Sequence, residues 1–381
     1  MQVSSNRPGS GPAGRLSYPA TAAPSNGRLR ESHRPAQLLK WLMLAFAVPF
    51  LLTGCDWVVM KPSGDIASQQ ADLIRFATWL MLLIIVPVIG LTLFFAWRYR
   101  ASNAAATEAD YQPDWDHSTR LELLIWGAPL LIIIVLGVVT WTSTHLLDPY
   151  RPLARLDENR ALSEKAEYLE VQAVALDWKW LFIYPELGIA TVNELVTPVD
   201  VPVRFRISAS TVMNSFYVPA LAGQIYAMPG METKLHAVIN KPVESTGFSA
   251  NYSGAGFSDM RFAYRGVSQN DFQVWVKSVR SQKRNVLNGE RYLVLEKPSE
   301  RNDVMHFGKV EDDLFKRIVN MCVAPGSVCM DVMMAQDRAR QHAAVMKQSA
   351  LRNPDLCRTA QADPTFKVAL DNWKRSHSDA N

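Results

Sequence analysis

Residues 123–147 read LLIWGAPLLIIIVLGVVTWTSTHLL, a run with no Asp, Glu, Lys or Arg and with His145 near its end. It exceeds the roughly 20 residues needed to cross about 30 Å of hydrocarbon. A soluble core helix of that length and uniform apolarity would be unusual, because surface helices carry a polar face. Upstream, residues 76–97 (FATWLMLLIIVPVIGLTLFFAW) form a second uncharged run. The two predict a transmembrane helical hairpin, about 76–97 and 123–147. Pro87 and Pro129 lie inside the runs and can kink them, since neighbouring helices satisfy the freed carbonyls. Downstream of residue 148 continuous apolarity gives way to alternation. Leu169, Val171 and Ala173 alternate with Glu170 and Gln172, Val203, Phe205 and Ile207 with Arg204 and Arg206, and Phe272, Val274 and Val276 with Gln273 and Lys277. A period of two over short runs reads as half-buried strands. Turn formers separate them at Pro185, Gly188, Pro198, Gly223, Pro229-Gly230, Pro242 and Gly247. The expected architecture is a membrane-anchored all-β domain, a β-sandwich or small Greek-key barrel.

The 381 residues suffice for one or two domains plus membrane segments, and a net charge of +4 with scattered basic residues gives no support to nucleic-acid binding. Eleven tryptophans, several flanking the apolar runs, fit an interfacial aromatic belt. Residues 1–33, rich in Pro, Ser, Gly, Ala and Arg, read as disordered or as an over-long start. Arg28, Arg30, Arg34 and Lys40 then precede the apolar run Trp41 to Leu52, which is too short to span a bilayer and ends in Leu52-Thr53-Gly54-Cys55. A basic n-region, an apolar h-region and small residues before a cysteine resemble a lipoprotein signal peptide. Cys55 is the expected lipid-attachment site and mature N-terminus; the bland alternative is a core cysteine beside a chance apolar run. Lipidation outside the cell would place the inter-helix loop, with Arg98, Arg100 and Arg120, in the cytoplasm, and the domain after 148 outside. The loop's acidic residues count little in the positive-inside rule.

Two segments of the outer domain carry a further signal. Residues 211–231 read TVMNSFYVPALAGQIYAMPGM and residues 249–260 read SANYSGAGFSDM. They resemble the copper-binding parts of subunit II of the haem-copper respiratory oxidases. In copper-carrying members a histidine stands where this chain has Asn214, and the second segment reads C-x-E-x-C-G-x-x-H-x-x-M. Laid on that pattern, the cysteine positions hold Ser249 and Ser253, the glutamate position Asn251, the glycine Gly254 and the second histidine position Phe257. Of the six ligands only Met260 survives. A binuclear copper centre needs thiolates and imidazoles; a serine hydroxyl does not ionise near neutral pH, and Phe257 has no lone pair. The inter-helix stretch 97–126, WRYRASNAAATEADYQPDWDHSTRLELLIW, resembles the same family. His117 there has no neighbour at metal spacing and reads as a loop hydrogen-bonding residue.

Within that family, an emptied copper site resembles subunit II of the bo-type ubiquinol oxidases. The resemblance implies a cupredoxin-like fold over about 149–280. It also implies a helical C-terminal arm over 281–320, with helix-compatible stretches such as 310–320, packed on the domain or on a partner. The tail 321–381 reads as variable and disordered. The whole chain then divides as 1–54 (extension and signal peptide), 55–148 (lipid-anchored N-terminus and hairpin), 149–280, 281–320 and 321–381. By the same resemblance an aromatic stretch here lies near the copper and the cytochrome docking face of cytochrome c oxidases; with no copper to receive an electron, Asp177-Trp178-Lys179-Trp180-Leu181-Phe182-Ile183-Tyr184-Pro185 reads instead as core and subunit-contact residues. In the tail, Cys322 and Cys329 could close a small disulfide loop in an oxidising compartment, leaving Cys357 odd. Met321, Met330, Met333 and Met334 could bind copper(I) as soft sulfur, with incidental methionines the blander reading.

The function the resemblance implies is a non-redox structural subunit of a proton-pumping quinol oxidase in a bacterial inner membrane. That complex would oxidise ubiquinol and reduce oxygen to water. No catalytic residue and no cofactor is expected in this chain; haem, copper and the quinol site would belong to the large subunit I, its expected partner beside other oxidase subunits and membrane lipid. Two alternatives are a free-standing membrane lipoprotein with a β-sandwich binding domain, and a copper-carrying cytochrome c oxidase subunit II.

Overall fold

The computed structural model describes residues 57–100, 116–163 and 165–352, together with Val368 and Asp371. Cys55, the segment 1–54, most of the inter-helix loop and Cys357 lie outside the described residues.

Helix α1 (Asp65–Arg98) contains the first apolar run and α2 (Thr119–Leu146) all but the last residue of the second, and each is long and apolar enough to cross a membrane. At 1.5 Å per residue either exceeds the thickness of a hydrocarbon core. Their side chains are exposed almost throughout, including Trp79, Leu83, Leu123 and Trp126. So much exposed apolar surface requires lipid or a partner to cover it. The start of α1 is different: Ala67 and Ala71 are buried, and Asp65 accepts from Gln69 and pairs with Arg155 at 3.1 Å. Just before it, the Gly64 amide donates to the Ala220 carbonyl at 3.0 Å and bridges Ile239. A Cβ at Gly64 would stand 2.6 Å from the Val238 carbonyl oxygen. Glycine is needed because the chain runs backbone against backbone, clasping the hairpin to the β domain.

The domain is a sandwich of two sheets. One has six strands in the order β10-β7-β3-β4-β5-β14 (Thr233–Ala237, Val203–Ala209, Leu169–Leu176, Lys179–Tyr184, Ile189–Val192, Met305–Phe307). The other has five, in the order β6-β12-β11-β8-β9 (Glu194–Pro198, Arg261–Val267, Val243–Ser249, Asn214–Tyr217, Ile225–Ala227). Two-stranded sheets β1-β2 (Arg155–Asp157, Arg160–Ala161) and β13-β15 (Val286–Leu287, Lys309–Val310) lie outside the sandwich. Pairing is antiparallel except at β3–β7, β12–β6 and β13–β15. The expected β-sandwich after a two-helix hairpin is therefore present. Between the sheets Val171, Ala173, Trp180, Phe182, Phe205, Ile207, Phe216, Phe262 and Tyr264 form the main core. Trp180, Phe182, Phe216 and Phe262 meet with ring centroids 4.9–6.4 Å apart, within the range of favourable edge and offset contacts.

The six-stranded sheet is buried on its other face too. Val174, Leu176, Leu181, Ile183, Ala190 and Val192 pack under Leu287, Tyr292, Leu295, Phe307, Leu314, Phe315 and Ile318. These come from the arm: α4 (Gly289–Glu296), β14, α5 (Leu314–Val319) and their connections. The arm thus packs on the domain and also supplies a strand of its sheet, β14 pairing with β5 at Met305↔Val192.

Two expectations need correction. Residues 272–277, read as a strand, lie within helix α3 (Gln269–Ser281). Its buried residues are Phe272, Trp275, Val276 and Val279, a 3.6-residue spacing, while Val274 is exposed. Ser268 caps it, accepting from the Asp271 amide at 3.2 Å and donating to the Asp271 carboxylate at 2.6 Å, a local signal that outweighs the chance alternation. The tail expected to be disordered from 321 is ordered to 352: Cys322 and Cys329 are disulfide-bonded, and helix α6 (Met330–Arg352) follows. The bridge fixes the turn from which α6 leaves, with the Met330 amide donating to the Asn320 carbonyl at 3.0 Å. The sequence-stretch 310–320 contains the shorter α5.

Candidate functional site

The two segments aligned on the copper pattern converge at one end of the five-stranded sheet. Asn214 opens β8 and Ser249 closes β11, two antiparallel neighbours in which Ser249 lies opposite Phe216. The following residues loop out through a 3-10 turn, Ala255–Asp259, and return at Met260 into β12. The Ser249 amide donates to the Met260 carbonyl at 3.3 Å, closing the loop at its neck. Asn214, Ser249 and Met260 are almost completely buried.

All six positions sit in this assembly, joined by hydrogen bonds and ring contacts. The Ser249 hydroxyl is 3.0 Å from the Asn214 Oδ1 and 3.2 Å from the Asn251 carbonyl, two alternative acceptors for one proton, and it accepts from the Ser215 amide at 3.4 Å. The Asn214 amide group donates to the Val212 carbonyl at 3.1 Å, and Asn251 donates to the Met213 carbonyl at 3.2 Å. Asn251 thereby sews the loop to the segment before β8. The Ser253 hydroxyl approaches the Met260 sulfur at 3.8 Å. Phe257 meets Tyr252 edge-on at 5.5 Å. Buried polar groups are costly without partners, and here the buried side chains satisfy one another.

Trp178 covers this loop, although its aromatic stretch 177–185 read as core and subunit-contact residues. It occupies the two-residue turn between β3 and β4 with φ +65°, in the left-handed region. Its indole nitrogen donates to the Ser253 carbonyl at 3.1 Å. A Cβ on Gly256 would lie 2.5 Å from the indole, so only glycine admits the ring there. The signal in the sequence was faint: a Trp after Asp177 in a tight hairpin turn, facing Gly254-x-Gly256. Beside it, Lys179 is fully buried, its ammonium donating to the Lys297 carbonyl at 2.9 Å, the Ser299 hydroxyl at 2.7 Å and the Asp177 carbonyl at 3.2 Å. Burial lowers the Lys179 ammonium below its ordinary range, opposed by Asp177.

Glu194 is a second hub that sequence reasoning missed. It accepts from Arg265 at 2.8 Å, Trp275 at 3.0 Å and His306 at 2.8 Å, joining β6, β12, α3 and β14. Of the aromatic stretch 177–185, Trp180, Phe182 and Tyr184 are core residues. The Tyr184 hydroxyl donates to the Val196 carbonyl and accepts from the Val196 amide, both at 3.0 Å. His117 bonds Glu122 at 2.6 Å. Met321 and Met330 place their sulfurs 3.7 and 3.1 Å from where a Gly230 Cβ would stand.

As a donor set, the six positions offer hydroxyls, carboxamides, an aromatic ring and one thioether. These residues do not fit a copper centre, whose thiolates and imidazoles have no counterpart in them. Among the described residues no cluster of three or more His, Cys, Asp or Glu could hold a metal ion. Nothing in the assembly resembles a nucleophile–base pair.

The β domain matches, over residues 185–267, the family model described as "Cytochrome C oxidase subunit II, periplasmic domain", and residues 282–326 match the "COX Aromatic Rich Motif". Those matches, with the two apolar helices, define a membrane-anchored subunit II with a cupredoxin-like domain. The chain is 50% identical over 278 residues to the cytochrome bo(3) ubiquinol oxidase subunit 2 of Pseudomonas putida, covering 73% of this chain and 84% of that one. It is 49% identical over 285 residues to the protein of that description from Pseudomonas aeruginosa, covering 75% and 82%. It is 47% identical over 269 residues to the ubiquinol oxidase subunit 2 of Acetobacter aceti, covering 71% and 84%. The chain belongs to the ubiquinol oxidase subunit 2 family of the haem-copper oxidases.

Proposed function

We propose that this chain is a non-redox structural subunit of a complex that oxidises ubiquinol, reduces oxygen to water and pumps protons, and that its dicopper site has been lost. The observation that carries the reading is the substituted ligand loop: the strands and turn of a copper domain persist, while Asn214, Ser249, Asn251 and Ser253 hydrogen-bond to nearby groups of the loop and its flanks. A domain without an electron carrier has no route for electrons from a soluble donor, which accords with relatives named for ubiquinol. Chemistry then belongs to a large haem- and copper-bearing subunit, which also holds the quinol. The work of this chain is to pack its hairpin on that subunit and cap its outer face. On this reading Cys55 carries the lipid anchor, both helices span a bacterial inner membrane, and residues 149–320 stand on its periplasmic side.

The test is affinity purification through a tag on this chain in mild detergent. Oxygen uptake is then recorded with a short-chain ubiquinol and, separately, with reduced cytochrome c. Haem in the preparation and uptake with quinol alone are the expected results. Uptake with cytochrome c would restore the copper-carrying alternative. An intact preparation without haem or uptake would favour the free-standing lipoprotein. Mass measurement of the mature N-terminus tests Cys55: a diacylated Cys55 is expected, and an unmodified chain beginning upstream would overturn the anchor.

A further inference from the structure

Where the hairpin meets the β domain there is a cavity of about 350 Å3. Its walls come from the first turns of α1 (Asp65, Gln69, Gln70), from the end of α2 and the linker after it (residues 146–149 and 151–155) and from Gly223, Gln224, Leu235 and His236 of the β domain. Beside it a groove of about 320 Å3 runs between the two helices, lined by Leu73, Ala77, Leu136 and Val139. Gln70 and Leu147 line both. A chamber of mixed polar and apolar lining at the outer end of the helices thus adjoins an apolar channel along them.

The charges in the chamber are unequally engaged. Arg155 and Asp65 neutralise each other through two contacts, at 3.1 Å each. Asp148 accepts the Tyr150 amide at 2.9 Å. Burial lowers His236 below its ordinary value, while its ring contacts the Pro149 carbonyl at 3.1 Å. Arg151 stands apart: its guanidinium makes only a 3.5 Å contact, to the His145 carbonyl, among the described residues. The Gln70 amide packs against Gly223 and makes no hydrogen bond to a described residue, and Gln224 has its oxygen, not its nitrogen, engaged by Ser215 at 3.4 Å. Donors without a strong partner thus line the chamber, Arg151 and Gln224 on its exposed side beside the Asp148 carboxylate, and one of them is a planar cation suited to phosphate oxygens. An ordered phosphate with apolar chains below it satisfies both ends of the space.

We propose that this chamber and groove hold one membrane phospholipid, its phosphate on Arg151 with the Gln70 and Gln224 amides and an acyl chain along the groove between α1 and α2. The proposal rests on the reading that both helices span the bilayer. The lipid fills the gap between the hairpin and the domain, and so sets the angle at which the domain stands on the membrane.

The test uses the full chain in its native membrane complex, solubilised and washed exhaustively with detergent, with phospholipid per chain counted by native mass spectrometry and by phosphorus. Wild type should retain about one phospholipid. The double variant Arg151→Gln with Gln70→Leu should hold it about tenfold more weakly, as expected for loss of a hydrogen bond to a charged group. Ser143→Leu, which narrows the groove without touching the chamber, should lower retention as well. Equal retention in wild type and both variants would overturn the site, as would a quinone found there in place of a phosphorus-containing lipid. Alkaline carbonate extraction of the same membranes separates the premises: a chain released by carbonate overturns the spanning reading and the site with it. A chain that stays in the membrane and keeps no phospholipid overturns the site alone.

Discussion

Five side chains separate the present loop from the copper pattern, and the four at its thiolate and imidazole positions can be restored. The combined substitution Asn214→His, Ser249→Cys, Ser253→Cys and Phe257→His, with Met260 retained, supplies the imidazoles and thiolates that copper requires. The expected outcome is copper uptake by the variant, with thiolate-to-copper absorption in the visible, and none by wild type after dialysis. A variant that folds, keeps its haem partner and takes up no copper would show that the backbone has drifted from a ligating geometry. Two other residues test the scaffold under the loop. Gly256→Ala puts a methyl 2.5 Å from the Trp178 indole, and the ring must leave. A red-shifted tryptophan emission and a lower thermal midpoint are expected for the purified chain. Tyr184→Phe strands the Val196 carbonyl and amide, both bonded to its hydroxyl. A loss on the order of 1–3 kcal/mol is expected, the cost of buried groups left unsatisfied, read as a fall in the unfolding midpoint with no change in haem content.

At the scale of elements, strands were legible where one face meets solvent. In β7, Val203, Phe205 and Ile207 are buried and Arg204 and Arg206 half-exposed, the alternation read from the sequence. In β3 the alternation of Leu169 to Ala173 dissolves beyond Val174, because the arm buries the second face. No window on β3 contains that information, since the covering residues lie more than a hundred positions away. The helix α3 was misread for the opposite reason: three apolar residues alternate locally, while the tertiary partners select Phe272, Trp275, Val276 and Val279. The motif singled out six positions, and the fold places them in one loop and its flanks. Trp178 was set aside from the site because its aromatic stretch read as core, and Glu194 was missed because a hub joining four elements leaves no periodic trace. One electrostatic link between elements gives a pH prediction. Glu170 of β3 contacts Arg204 and Arg206 of β7 at 2.8 and 3.0 Å, and Arg206 reaches on to Glu232 and to the Phe315 ring of the arm. Burial pushes the Glu170 carboxyl up, but the hydrogen bonds from Arg206, Arg204 and Gln172 outweigh it and hold it below its ordinary value of 4.5. A depressed carboxylate contributes stability that is complete above its unfolded value and disappears as pH falls through the lower folded value. Wild type should therefore lose stability on acidification below about pH 4.5. Glu170→Gln should lose less over that interval, having less to lose, as measured by thermal midpoints across the acid range.

For the molecule as a whole, apolar surface is distributed unequally. The β domain covers its own, on both faces of the six-stranded sheet, whereas the hairpin leaves nearly all of its apolar side chains outward. A domain self-sufficient in packing joined to helices that are not is the division expected of a subunit whose membrane part is completed by another chain and by lipid. Deletion of this chain should then lower the amount of assembled, haem-loaded oxidase in membranes, measured by difference spectra. Full haem content and quinol-dependent uptake without it would overturn the structural role.

The strand β14 gives the molecule a direction in time. Its partner β5 ends at Val192, and the pairing residue Met305 emerges from the ribosome more than a hundred residues later. Until then β5 is an open edge and the outer face of its sheet is bare, the condition in which strands pair with the wrong neighbour. Contacts so distant in sequence close slowly. A chain halted near residue 300 should consequently be recovered as aggregate or as protease fragments, whereas one halted just after α5 should be soluble apart from its hairpin. Pulse-chase proteolysis of stepwise truncations would locate the threshold, expected between residues 300 and 320, and with it the length of nascent chain that the export machinery must keep shielded.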